Sequence, residues 1–328
     1  SWDAFTGENF RRGGFLPQDE RYSRAKEFLA TTNELFDSWH GDEILADQAT
    51  GAFLRDAGAG SFVHKGPQFD IHGQFNVPRS PQGRPVIFQA GESDEGREFA
   101  ASSADAIFSR YATLDAGQAF YTDVKSRLAK YGRRPDELLI LPAASFVLGD
   151  TDAEAEEIAH QVRRQQVSGA TALKHLEFVW NRDLSSYDPE GPLPDVDPLV
   201  GEDHISRGRA QVRMYRDPIA IAREWRELAE ANKWSIRDLV INTGNRQTFV
   251  GSPATLARTI NDFVQADVSD GFILVPHITP GGLDVFADQV VPLLQEQGVF
   301  RTEYEGTTLR DHLGLAHPDE KRSERVAS

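Results

Sequence analysis

The sequence predicts an α/β fold, a parallel sheet belonging to a (β/α)8 barrel of the TIM type, with a long insertion before the last strand. Three observations predict it. Short, continuously apolar runs around Ile87, Ile107, Ile140 and Ile273 alternate with helical patterns, as strands buried on both faces do. The third and fourth runs are separated by residues 149–248, an excursion long enough to be an insertion or lid. The chain also opens abruptly at Ser1-Trp2-Asp3, without an initiator Met, and runs at once into Gly7, Gly13 and Gly14. Four strands against the eight of a closed barrel leave two readings: an open sheet, or a barrel whose first strands are absent from this chain. The abrupt start favours the second. Residues 1–328 then form one domain, the C-terminal portion of the barrel.

Each element follows from local pattern. Tyr22, Ala25, Leu29, Thr32, Phe36 and Trp39 recur at helical spacing, with Asp19 placed to cap and Gly41 to stop. Phe62-Val63-His64 and Phe69-Asp70-Ile71 flank Gly66-Pro67 as a small hairpin, across which His64 and His72 could face one another, more often as surface or packing residues than as ligands. Asn76 to Pro85 carries three prolines and a glycine and reads as an extended connector. Strand Val86–Phe88, helix Asp94–Ser102, strand Ala106–Phe108, helix Asp115–Tyr131 and strand Leu138–Leu148 then alternate. The excursion holds helices at Asp152–Gln165 and Pro218–Asn232 around a Pro/Asp-rich loop, Tyr187–Asp203. Helix Pro253–Ala266, strand Phe272–Val275 and helix Leu283–Gln297 close the pattern.

Composition excludes several classes. Hydrophobic residues at 39% and charged residues at 26% are those of a globular chain. A formal charge of -16 opposes a nucleic-acid partner, because phosphate contacts need clustered Lys and Arg. No apolar run approaches the ~18 residues of a membrane span. The absence of cysteine removes disulfides, thiolate metal sites and thiol nucleophiles, and a cytoplasmic location is the simplest reading. The nine histidines make no metal-ligand spacing.

The most informative local feature is the strand-turn-helix Val86-Ile87-Phe88-Gln89-Ala90-Gly91-Glu92-Ser93-Asp94-Glu95-Gly96-Arg97-Glu98. A tight turn at Gly91 presents free backbone N–H groups at a helix start, beside the Ser93 hydroxyl, where a phosphate sits well. Two other readings compete: Ser93 as a plain helix cap, or as the nucleophile of a hydrolase elbow, which Glu95 in the crowded turn disfavours. His175, His204 and His277 are pocket candidates by position, His277 because it follows a strand's C-terminal end. Arg207, Arg209, Arg213 and Arg216 form a basic cluster that either pins an anionic ligand or is a solvated loop. The stretch Thr171 to Arg216 is expected to form a cover over the strands' C-terminal ends.

Several stretches together resemble the nitrilotriacetate and dibenzothiophene-sulfone monooxygenase family of luciferase-like, flavin-dependent enzymes. They are Ser1 to Phe10, Glu20-Arg21-Tyr22 with Phe36-Asp37-Ser38-Trp39, His64-Lys65-Gly66, and the connector Asn76 to Pro85. Gln89-Ala90-Gly91-Glu92-Ser93 with Gly96-Arg97-Glu98, then Val250-Gly251-Ser252-Pro253, Asp270-Gly271-Phe272 and Thr308 to Leu315, complete the match. The resemblance implies a two-component enzyme, in which a separate NAD(P)H:flavin oxidoreductase supplies reduced FMN and O2 is used to oxidise a small organic substrate. It also implies a homo-oligomer. Carried over residue by residue, FMN phosphate contacts fall on Ser1, Tyr22, Glu92 and Ser93. Glu92 departs from the family, which often has Ser there; a carboxylate repels phosphate unless only its backbone N–H is used. The flavin-ring contacts belong to N-terminal strands, so no catalytic residue is assigned. The alternatives are a deazaflavin-dependent oxidoreductase of the same superfamily and a non-catalytic anion-binding remnant.

Overall fold

The computed structural model describes residues 16, 18–111, 113–200, 217–244 and 248–318. Ser1, His204 and the cluster Arg207, Arg209, Arg213 and Arg216 lie outside the described residues. The chain divides into two compact units, one built mainly from Ser145–Ala257 and Val275–Val290, the other from Pro17–Ala144, Arg258–Leu274 and the chain from Val291 onward.

The second of these begins with helix α1 (Gln18–Asp37), followed by a hairpin of β1 (Ser61–Lys65) and β2 (Asp70–Gln74). Glu27 on α1 fixes the hairpin turn by accepting the Gln68 and Phe69 N–H groups at 2.9 and 2.8 Å. His64 completes the clasp, with Nδ1 at 2.8 Å from Glu34 and Nε2 at 3.5 Å from Glu27. The Glu34 hydrogen bond, aided by Glu27, raises the His64 pKa against the opposing effect of burial. His64 and His72 do not face one another. The register pairs His64 with Ile71 and Val63 with His72, so the two imidazoles leave opposite faces of the ribbon. The Pro-rich connector is pinned to the end of α1 by Asp37, which accepts from Arg79 Nη1 at 3.1 Å and Arg84 Nε at 2.8 Å.

Beyond the connector, β3 (Phe88–Gln89), β4 (Ala106–Ser109) and the first half of β5 (Leu139–Leu148) pair in parallel, Phe88 with Ala106 and Ile107 with Ile140. The crossovers are α2 (Asp94–Ser103) and α3 (Leu114–Leu128), capped by the Ser93 and Thr113 hydroxyls. Ala100, Ala101 and Ala104 of the first crossover, with Val124 and Leu128 of the next, bury against Ile107, Leu138 and Ile140. Small residues on α2 let the helix lie close to the sheet. β7 (Ile273–Val275) also pairs with β5, so the four expected strands do form a parallel-type β/α sheet. Lys125 of α3 sits 2.8 Å from Asp270, whose carboxylate also takes the Ile140 N–H at 2.7 Å. The expected last helix divides into α9 (Asp284–Gln289) and α10 (Val291–Glu296), because Pro292 has no N–H to continue a single ladder. Helix α11 (Leu309–His312) is the last described helix.

In the other unit, the second half of β5 pairs in parallel with β6 (Thr248–Gly251), which leads into α8 (Pro253–Gln265). The excursion contributes α4 (Asp152–Gln166), α5 (Gly169–Trp180), α6 (Pro218–Asn232) and α7 (Ile236–Thr243). Leu176, Trp180, Leu184, Ile236 and Leu239 make its core, with Trp225 of α6. Within the stretch expected as a cover, Ala172, Leu173, Leu176, Val179 and Trp180 of α5 pack into this core. Among the described residues, no helix is long and apolar enough to cross a membrane.

Candidate functional site

Two features among the described residues gather the residues singled out from the sequence, one in each unit. The first is the turn after β3. Ser93 is the N-cap of α2, extended at φ -66 and ψ 163, and its Oγ accepts the Gly96 N–H at 3.1 Å. That bond uses a lone pair and leaves the hydroxyl proton to donate elsewhere. Tyr22, in the second turn of α1, brings its hydroxyl to 3.4 Å from Ser93 Oγ, while its ring meets Phe99 edge-on at 6.0 Å. The sequence-predicted pair Tyr22 and Ser93 thus converges across 71 residues of chain.

Two glycines make this approach possible. A Cβ on Gly91 would lie 3.0 Å from the Tyr22 hydroxyl, and one on Gly96 only 2.7 Å from it. A Gly96 Cβ would also press on the Gly91 carbonyl at 2.8 Å. Among the described residues, the N–H groups of Glu92, Ser93, Asp94 and Glu95 have no partner, as expected of a helix start. Two hydroxyls, unpaired amides and the positive end of a helix together suit a dianionic phosphate.

The acidic residues here do not block it. Glu92 turns its carboxylate to the Arg110 N–H at the end of β4. That bond engages one carboxylate oxygen away from Ser93 Oγ, which it does not contact. Asp94 is paired with Arg127 at 2.6 Å. No histidine or carboxylate contacts Ser93 Oγ among the described residues, so nothing activates it as a nucleophile.

The second feature is a cavity of about 640 Å³ at the C-terminal end of β5. Ser145, Phe146 and Val147 form its floor, and Ala159, Arg163, Thr171, His175, Asn242 and His277 line the walls. His175 and His277, singled out by chain position, therefore share one cavity. His175 stacks on Trp225 at 6.4 Å and 12°, and burial pushes its pKa down, so it is a neutral imidazole at pH 7. His277 Nδ1 lies 3.4 Å from the Phe146 carbonyl. Sequence reasoning missed Arg163, whose helix gave no sign of facing a cavity, while Thr171 opens the stretch expected to cover the strands' C-terminal ends.

A family model described as luciferase-like monooxygenase matches residues 2–270. An N-acetyl-S-(2-succino)cysteine monooxygenase of Bacillus subtilis (strain 168) is 37% identical over 95% of this chain and 68% of its own. Nitrilotriacetate monooxygenase component A of Aminobacter aminovorans is 36% identical over 94% of this chain and 66% of its own. Among solved structures, a riboflavin lyase (RcaE) with modified FMN and substrate riboflavin superposes at TM-score 0.68 and 27% identity, covering 92% of this chain and 63% of that one. The chain thus spans about two thirds of the length of the proteins it matches.

Proposed function

This chain belongs to the luciferase-like monooxygenase family, and we propose that it carries the phosphate-binding and substrate-side parts of an FMN-dependent monooxygenase. A separate NAD(P)H:flavin oxidoreductase supplies the reduced FMN. The substrate is a small organic molecule of the aminopolycarboxylate or organosulfur class, in keeping with the substrate named for the nitrilotriacetate relative. The observation that carries this reading is the cradle around Gly91, which a Cβ would fill and beside which the Tyr22 and Ser93 hydroxyls meet. Tyr22, Ser93 and the Glu92 N–H hold the phosphate. Reduced FMN, when bound, supplies the electrons for the reaction with O2. The protein's own part is to hold the phosphate, shape the substrate cavity and keep water from it. His175, neutral and held by its stack on Trp225, is placed to exchange a proton with a substrate in that cavity.

The test is an FMN titration of the chain and its Ser93→Ala variant, with folding checked by circular dichroism. A hydrogen bond to a charged group contributes about 1.5–3 kcal/mol, so the variant is expected to bind FMN about 10- to 150-fold more weakly. Equal affinities in two folded proteins would place the phosphate elsewhere.

A further inference from the structure

Gln89, the last residue of β3, carries a carboxamide that the fold leaves unsatisfied. Its Oε1 is sealed from solvent and has no hydrogen-bond partner. Its Nε2 has none among the described residues either. The group lies over the Gly91 turn: a Cβ there would meet Nε2 at 2.8 Å and Oε1 at 3.3 Å, on the same side as the Tyr22 hydroxyl at 3.0 Å. A buried acceptor without a donor is costly, and folded proteins rarely leave one unless something else fills the gap.

A phosphate cannot fill it. The dianion offers acceptors only, and a carboxamide oxygen needs a donor. An alcohol does fit, because a hydroxyl donates one bond and accepts others, the complement of a carboxamide's oxygen and NH2. Resting on the phosphate reading of the cradle, we infer that Gln89 is a specificity-determining residue that reads the hydroxylated carbon chain bonded to that phosphate. Oε1 accepts from one hydroxyl while Nε2 donates to another oxygen of the same chain. The cradle thereby selects a polyol phosphate over inorganic phosphate. Gly91 serves both parts of the ligand, since a Cβ there would crowd both the carboxamide and the Tyr22 hydroxyl.

The experiment titrates the full chain with ribitol 5-phosphate and with inorganic phosphate by calorimetry. The proteins are wild type, Gln89→Met, Gln89→Leu and Ser93→Ala, each checked by circular dichroism. Both Gln89 variants are expected to bind ribitol 5-phosphate up to about tenfold more weakly and inorganic phosphate with unchanged affinity. Ser93→Ala is expected to weaken both probes by the same factor. Gln89 variants that lose both probes equally, or neither, overturn the inference while a Ser93→Ala loss leaves the cradle standing. If Ser93→Ala changes neither probe, the phosphate reading itself fails, and the inference fails with it.

Discussion

Replacing Arg310 with methionine is expected to destabilise the chain by about 3–5 kcal/mol, the usual consequence of leaving a buried charge without its partner. Arg310 is 4% exposed. Its Nη2 donates to Asp105 Oδ2 at 2.7 Å and its Nη1 to Asp105 Oδ1 at 3.2 Å, a two-pronged pair. The same guanidinium holds the carbonyls of Arg84, Pro85 and Ala316 at 3.1 to 3.2 Å. Asp105 in turn accepts the Ile87 N–H at 2.8 Å. One side chain on α11 therefore ties the tail to the connector and to the starts of β3 and β4. Losing it strands the Asp105 carboxylate where only 19% of it meets solvent. Thermal unfolding should move down by roughly 6–20 °C, at about 2–4 °C per kcal/mol for a unit of this size. The double variant Asp105→Asn, Arg310→Met keeps an acceptor for Ile87 and removes the stranded charge, so it should recover part of the loss. A double variant as unstable as the two single losses combined would show that packing, not charge, dominates.

Gly96→Ala should abolish most FMN binding, by about 100-fold or more, although alanine favours helix over glycine by ~1 kcal/mol. The added Cβ would sit 2.7 Å from the Tyr22 hydroxyl, 2.8 Å from the Gly91 carbonyl oxygen and 2.9 Å from its carbon. Tyr22 can swing away, but the Gly91 backbone cannot move without opening the turn. Both responses remove donors from the same site, so the loss should exceed that of Ser93→Ala. Gly132→Ala is the control, since a Cβ there meets nothing within 4 Å and lies outside the cradle, though its φ of +66° adds a local strain. A Gly96→Ala protein with native helicity and unchanged FMN affinity would contradict the packing argument.

The strands at Ile107 and Ile140 were legible because runs buried on both faces are apolar without interruption. Strand β6 was not: Phe249 and Val250 are its only large apolar residues, too few to show a period. Helix α5 was hidden for another reason. Its exposed face is short, Ala170, Thr171 and Lys174, and its buried face includes the charged Glu177, so the polar and apolar sides were blurred in the sequence. The hairpin was legible but its register was not, and a single residue of register decides which face His64 and His72 take. Within the cradle, the resemblance supplied Tyr22, Glu92 and Ser93 as separate positions. Their meeting, and the turn of Glu92 toward Arg110, depend on how α1 packs against α2, which no local pattern encodes. Gln89 stood in the matched motif all along. Its unpaired carboxamide is a property of three dimensions only.

The central claim is that the Gly91 turn binds the phosphate of FMN. The most direct measurement compares FMN with riboflavin, identical but for that phosphate, by fluorescence titration of the folded chain. The account predicts that FMN binds at least about 100-fold more tightly than riboflavin, the contribution of two charge-assisted hydrogen bonds and the open amides. It also predicts that Ser93→Ala shrinks this ratio while leaving riboflavin affinity unchanged. Equal affinity for the two flavins, in wild-type protein of native circular dichroism, would contradict it.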